Sequence, residues 1–112
     1  MEMTERLNRL DQFIAEDRLL RRQWWSEKNG VERACLLVSL SPESGVRKSA
    51  SMCPASVMPA WLAHLTPWID DAGTLSHWPD VIRQYAGLAH RWHVLGIEDW
   101  RRLDFACRAA SV

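Results

Sequence analysis

The chain of 112 residues carries no net charge, because fourteen Lys and Arg balance fourteen Asp and Glu. That removes the global electrostatic attraction on which a non-specific nucleic-acid or anionic-membrane binder relies. A long apolar run is missing too. The longest, Ala34 to Val38, has five residues, far short of the roughly 20 that cross a bilayer. The opening stretch Met1-Glu2-Met3-Thr4-Glu5-Arg6 is charged from the start, and no apolar stretch of signal-peptide length follows it. These absences predict a cytoplasmic protein without a membrane partner. Glycine is scarce, at five residues, which leaves little room for a phosphate-cradling loop. No G-x-x-x-x-G-K-[ST], G-x-G-x-x-G or G-x-S-x-G motif occurs, and no cofactor is expected. The cysteines Cys35, Cys53 and Cys107 are odd in number and form no C-x-x-C pair, so free thiols are the default. Strand-like alternation never exceeds three or four residues, and no internal repeat is visible.

Phenylalanine and tyrosine are also rare, two and one, against seven tryptophans. At about 200 Å² and about 25 cal/mol/Å² each, seven buried indoles supply on the order of 35 kcal/mol of gross burial free energy. Hydrophobic residues at 47% and charged residues at 25% are those of an ordinary globular protein. At this length the chain reads as a single domain spanning residues 1–112.

The spacing predicts helices. Between Met3 and Trp25 the apolar residues Leu7, Leu10, Phe13, Ile14, Leu20 and Trp24 share one arc of about 140°, which predicts one long amphipathic helix capped by Thr4. Asn29-Gly30 reads as its stop. Val31 to Leu40, richer in Ala and Leu than in β-branched residues, reads as a second helix. Residues 41–56, with five serines, Pro42, Gly45 and Pro54, lack periodicity and read as a long loop, either mobile or functional. Pro59 opens a helix that Pro67 kinks or ends, and Asp70-Asp71 reads as a turn. Ser76 is an N-cap candidate for the cleanest amphipathic pattern, from Trp78 to Leu95. A last helix starts at Glu98-Asp99 and is apolar on two sides. The fold class expected is all-α, a compact bundle of four to five helices with the Ser-rich loop 41–56. Trp61, Trp68, Trp78, Trp92 and Trp100 are the predicted core, with Val81, Ile82, Tyr85, Leu88 and Leu103 around them.

Candidate chemistry is thin. His90 and His93 sit three apart on one helix face and are the best metal pair among the four histidines, although nothing in the sequence completes the ligand set. A Cys-based or metal-dependent enzyme would draw on Cys53, His64, His90 or His93, yet no motif brings them together. Adjacent carboxylates such as Glu16-Asp17, Asp70-Asp71 and Glu98-Asp99 diverge on a helix and are accounted for by turns and helix starts. Leu88 to Gly96 followed by Trp100-Arg101-Arg102-Leu103 has the outline of a helix-turn-helix. Glu98 and Asp99 open its second helix, where they would face phosphates, so nucleic acid is not the expected partner.

The informative irregularity is on the first helix. Arg6, Asp17 and Arg21 fall inside its apolar arc, with Asp17 and Arg21 spaced as an i,i+4 pair. The plain account is a surface ion pair at the margin of the arc. The sharper one is that Asp17, Arg18, Arg21, Arg22, Trp24 and Trp25 meet another protein, since interfaces enrich Trp and Arg. The favoured expectation is therefore a small non-enzymatic helical protein that works through protein contacts, self-associating or accessory to a larger complex. Trp24 and Trp25, about 100° apart on a helix, cannot both be buried by one partner surface.

Overall fold

The computed structural model describes residues 1–71, 75–92, 95, 98–102 and 105. In order, the chain forms helix α1 (Met3–Ala15), strands β1 (Trp25–Lys28) and β2 (Val31–Ala34), and helices α2 (Leu36–Leu40) and α3 (Pro42–Val46). A 3₁₀ turn at Ala50–Met52, helix α4 (Ala60–Asp71), a second 3₁₀ turn at Leu75–His77 and helix α5 (Trp78–Trp92) follow. Residues 98–102 are again helical. The result is a mostly helical, compact body with a radius of gyration of 13.8 Å, where about 13 Å is expected for this length.

The first correction is that the long helix ends ten residues early and is followed by a hairpin. Ala15 is the last helical residue, and Asp17 takes a left-handed backbone, φ 54°. The Arg18 amide donates to Phe13 O at 2.8 Å and the Asp17 amide to Ile14 O at 3.2 Å, the paired bonds of a Schellman cap. The hydrophobic contact that normally accompanies this cap is supplied by Arg18, whose guanidinium stacks 4.2 Å from the Phe13 ring centroid. Asn29 and Gly30, read above as a helix stop, both adopt positive φ, 54° and 77°. Two such residues make the type I′ turn of a tight hairpin, so β1 and β2 pair antiparallel with Trp25 opposite Ala34 and Lys28 opposite Val31. The fold is therefore mostly helical with one small two-stranded sheet, and the expected helical bundle holds in outline only. The predicted helix 31–40 is correct only for its second half.

The second correction concerns residues 41–56. Ser41, Ser44 and the preceding Ser39 are fully buried, and the segment folds as α3 and the 3₁₀ turn rather than as one loop. Each hydroxyl finds a short-range partner: Ser39 Oγ donates to Leu36 O at 2.6 Å, and Ser41 and Ser44 Oγ lie 3.1 Å apart. Pro42 at the first turn of α3 and Glu43 behind it are ordinary helix-start residues. Gly45 lets α3 approach α2 closely, since a Cβ there would meet Val38 Cγ1 at 2.9 Å.

The core gathers under α2. Leu10, Phe13, Leu36, Leu37, Val38, Leu40 and Met58 are all at most 1% exposed. From the carboxy-terminal side, Leu62, Ala63, Tyr85, Ala89 and Trp92 complete it. Helix α4 runs through Pro67 rather than ending there, and Asp71 is its last residue rather than part of a turn. Its buried stripe is Leu62, Ala63 and Thr66, with Thr66 Oγ1 donating to Leu62 O and lying 2.8 Å from Tyr85 Oη. Trp68 lies about 120–160° around the helix from those three residues and is 75% exposed, so its predicted core position is wrong. Of the other predicted core indoles, Trp92 is buried and Trp61, Trp78 and Trp100 are half-buried. Leu88 is 57% exposed, and Leu103 lies outside the described residues. The indoles of Trp61 and Trp92 each stack against Trp100, with centroids 6.3 and 6.1 Å apart.

Candidate functional site

Between Glu16 and Trp24 the backbone is irregular, and its geometry decides where the predicted partner residues go. Glu32 on β2 is the anchor. Its carboxylate accepts from Arg9 Nη1 and from Trp25 Nε1, both at 2.7 Å, and its carbonyl accepts from Arg18 Nε at 2.6 Å. The Arg9 guanidinium beside it, with the Trp25 indole, holds the Glu32 carboxyl below its usual range. Phe13 sits between two guanidinium groups, Arg9 at 4.6 Å and Arg18 at 4.2 Å from its centroid. The buried Nε and Nη2 of Arg9 meet no hydrogen-bond acceptor among the described residues. The π-face of Phe13 takes that role.

The six predicted residues are thereby divided. Arg18 is occupied internally, on Phe13 and Glu32. Arg22 adopts φ 63° and donates its amide to Asp71 Oδ1 at 2.9 Å, and with Trp24, Cys35 and Pro67 it lines a small pocket beside α4. Trp25 lines a separate groove with Val38, Pro42, Gly45 and Val46. Asp17 and Arg21 are not on a helix, so their i,i+4 spacing does not bring them together. Both instead reach a third surface, the groove between α1 and α5. Asp17 lines it, and the Arg21 guanidinium lies 5.5 Å from the centroid of Trp78, which forms part of its floor.

That third groove holds the residues sequence reasoning missed. Ile14 and Ala15 from α1 and Trp78, Pro79, Ile82 and Ala86 from α5 make an apolar trough of about 550 Å³. Ile14, Trp78, Ile82 and Ala86 are half-buried, and Ala15 and Pro79 are exposed. Asp11, Asp17 and Arg83 stand at its margins. The available signal was the width of the α5 apolar arc: Tyr85, Ala89 and Trp92 are buried, and Trp78, Ile82 and Ala86 are left on the flank.

The chemical candidates are placed as follows. His90 Nε2 lies 2.9 Å from both carboxylate oxygens of Asp11, tying α5 to α1. His93 lies outside the described residues. Among the described residues, no three His, Cys, Asp or Glu side chains converge as a metal site would require. Burial raises the Cys53 thiol above its ordinary pKa, against an opposing hydrogen bond with Ser41, and its sulfur lies 3.8 Å from Pro54 O. That is the environment of an unreactive thiol. His64 is exposed on α4. The turn of the helix-turn-helix outline lies largely outside the described residues; within residues 98–102, Arg101 is paired to Glu98 at 3.0 Å. Among the described residues no helix is long and apolar enough to cross a membrane. No protein-family model, curated protein or solved structure matches the chain.

Proposed function

We propose that this is a small non-enzymatic protein that works in the cytoplasm through protein–protein contacts, either self-associating or as an accessory to a larger complex. The observation that carries the reading is the α1/α5 groove, an apolar trough with charged side chains at its margins. An apolar centre within a polar rim is the anatomy of an interface. The Cys53 thiol, which is not in a disulfide, is consistent with a reducing compartment. A photo-crosslinking residue in place of Ala15, which is exposed at the groove's edge, tests the reading in cells. The expected result is a light-dependent adduct with a protein, absent when the same residue replaces exposed His64 on α4. Absence of any adduct at position 15 overturns it.

A further inference from the structure

Independently of the α1/α5 groove, we infer that the open edge of β1 takes up an extended peptide as an added strand, one that carries a basic, an acidic and an aliphatic residue in succession. The ladder fixes which backbone groups are on offer. The Cys35 amide donates to Trp24 O at 3.0 Å, so Trp24 and Cys35 form a hydrogen-bonded pair, and in an antiparallel ladder such pairs alternate. With Trp25 opposite Ala34 and Lys28 opposite Val31, Ser26 and Lys28 turn their backbone groups toward β2, while Trp25 and Glu27 turn theirs outward. The same alternation turns Ala34 to the far edge of the hairpin, where its amide donates to Arg18 O at 3.1 Å and its carbonyl accepts from the Leu20 amide at 2.8 Å. That edge is occupied. On the β1 edge the amides and carbonyls of Trp25 and Glu27 meet no partner among the described residues.

The side chains beside this edge select what pairs with it. Trp25 and Glu27 share one face of the hairpin with Glu32 and Ala34. On that face Trp25, Val38, Pro42, Gly45 and Val46 line a groove of about 460 Å³, with Trp25 held as a fixed wall by its indole bond to Glu32. A strand added to β1 sends the side chain opposite Trp25 to the same face, into this groove, where an aliphatic residue fits. The next side chain on that face lies opposite Glu27, which is exposed and has no side-chain ion pair or hydrogen bond among the described residues. A carboxylate covered by an added strand needs a cation, so that position calls for Lys or Arg. Glu32 makes no such demand, because Arg9 and Trp25 already fill its carboxylate. The opposite face carries Lys28 and Arg33, both exposed and likewise unpaired among the described residues, so the residue between the other two, which lies over Ser26, is acidic. Charges on an edge strand repel an apolar strand that leaves them unpaired. Here they accept one whose charges alternate in the complementary sense, by the backbone pairing of β-strand addition.

The probe is the peptide Gly-Ser-Thr-Lys-Glu-Leu-Thr-Ser-Gly, titrated to about 5 mM into the isotope-labelled full-length chain and followed by nuclear magnetic resonance. Paired antiparallel to β1, it sets Lys opposite Glu27 and Leu opposite Trp25. A Kd below about 1 mM is expected, with hydrogen exchange slowed at the Trp25 and Glu27 amides and unchanged at Ser26 and Lys28, which already belong to the ladder. N-methylation of the peptide's Leu removes the donor to Trp25 O and is expected to weaken binding about fivefold or more, whereas N-methylation of its Glu, whose amide points away from β1, costs less than about twofold. Glu27→Lys is expected to weaken the peptide about threefold and to strengthen by about the same factor a peptide with Glu in place of its Lys. Circular dichroism verifies that this exposed substitution leaves the fold intact. No saturation by about 5 mM, equal losses from the two N-methylations, or an unchanged charge preference overturns the inference. Slowing of the Trp25 and Glu27 amides that grows with protein concentration in the absence of peptide assigns the edge to a second copy and also overturns it. The crosslink at position 15 reports on the α1/α5 groove alone, so the two surfaces succeed or fail separately.

Discussion

In the segment from α1 through the first 3₁₀ turn, arginines are turned inward onto carboxylates and an aromatic ring, while Trp25, Val31, Val46 and Met52 stay outside; in α4 and α5 no arginine is buried and large apolar side chains stay outside. Arg6 is 4% exposed, and its guanidinium makes a two-pronged contact with Glu43 at 2.9 and 2.7 Å while donating to Leu40 O at 2.9 Å. Arg9 and Arg18 are committed to Phe13 and Glu32. In the carboxy-terminal half Leu65 is 40%, Trp68 75%, Leu75 69% and Leu88 57% exposed. The difference shows two ways in which a short chain completes one core: the amino-terminal half uses arginine stems and aromatic faces as packing material, and the carboxy-terminal helices contribute one stripe each.

Breaking the inward-turned half has the largest expected effect. Phe13→Ala removes a ring that is 1% exposed and takes away the platform of both Arg9 and Arg18. The expected loss is about 3–5 kcal/mol, the cost of a large-to-small change in a packed core, read as a shift in urea midpoint at unchanged slope. Phe13→Leu keeps most of the volume and loses the cation–π contacts, so it is expected to cost about 1–2 kcal/mol. Equal losses from the two variants would mean that the arginines contribute by stacking rather than by the ring's volume.

A smaller effect separates the halves by pH. The Arg6 guanidinium holds the Glu43 carboxyl at about 2, against an ordinary 4.5. A carboxyl depressed in the folded state stabilises it fully above the ordinary value, and that stabilisation is lost as pH falls from about 4.5 towards 2. Because the Glu43 side chain keeps 40% exposure, solvent screening reduces the amount to about 1–2 kcal/mol. The depressed carboxyl of Glu32 acts in the same direction. Glu43→Gln is expected to lower stability at neutral pH and to flatten the acid limb of the stability curve, leaving the part due to Glu32. An unchanged acid limb would show that the Arg6–Glu43 pair contributes nothing to folding.

Much of this was legible before any coordinates. Helical periodicity placed α1, α4 and α5; Arg6 stands out inside an apolar arc but reads there as part of a surface or partner face, whereas it is buried on Glu43, in a segment that composition alone reads as loop. What periodicity missed was decided by single residues. Asn29-Gly30 stops a helix or turns a hairpin with the same left-handed backbone, and only tertiary anchoring of Glu32 by Arg9, Arg18 and Trp25 selects the hairpin. The serines of 41–56 read as loop because they lack periodicity, yet the buried hydroxyls of Ser41 and Ser44 satisfy each other three residues apart. On α4 two stripes compete. The large aromatic residues suggested Trp61 and Trp68, whereas Leu62, Ala63 and Thr66 are buried, with Tyr85 offering Thr66 a hydroxyl partner. The groove between α1 and α5 depends on how two distant helices meet, which one chain read in isolation does not disclose. The six residues proposed from sequence were drawn on a helix that ends before the first of them, so their shared face dissolved while Asp17 and Arg21 found the groove by another route.

The smallest expected effect is at Trp68, and it sharpens the comparison most. Trp68→Ser removes the chain's most exposed described indole, 75% open to solvent, and an exposed substitution of this kind is expected to change unfolding free energy by no more than about 0.5 kcal/mol. Trp92→Ser, at a position 7% exposed, is expected to cost about 3–5 kcal/mol. The contrast is measured best at two protein concentrations. A Trp68→Ser cost that stays small at both means the outer stripe of α4 is solvated and leaves contacts to the charge-edged α1/α5 groove and the β1 edge. A cost that grows with concentration would mean that association buries the indole, because stability linked to assembly follows mass action. In that case the apolar side chains left outside α4 form an interface in their own right, and the two halves differ in the partner that completes them rather than in how well they are packed.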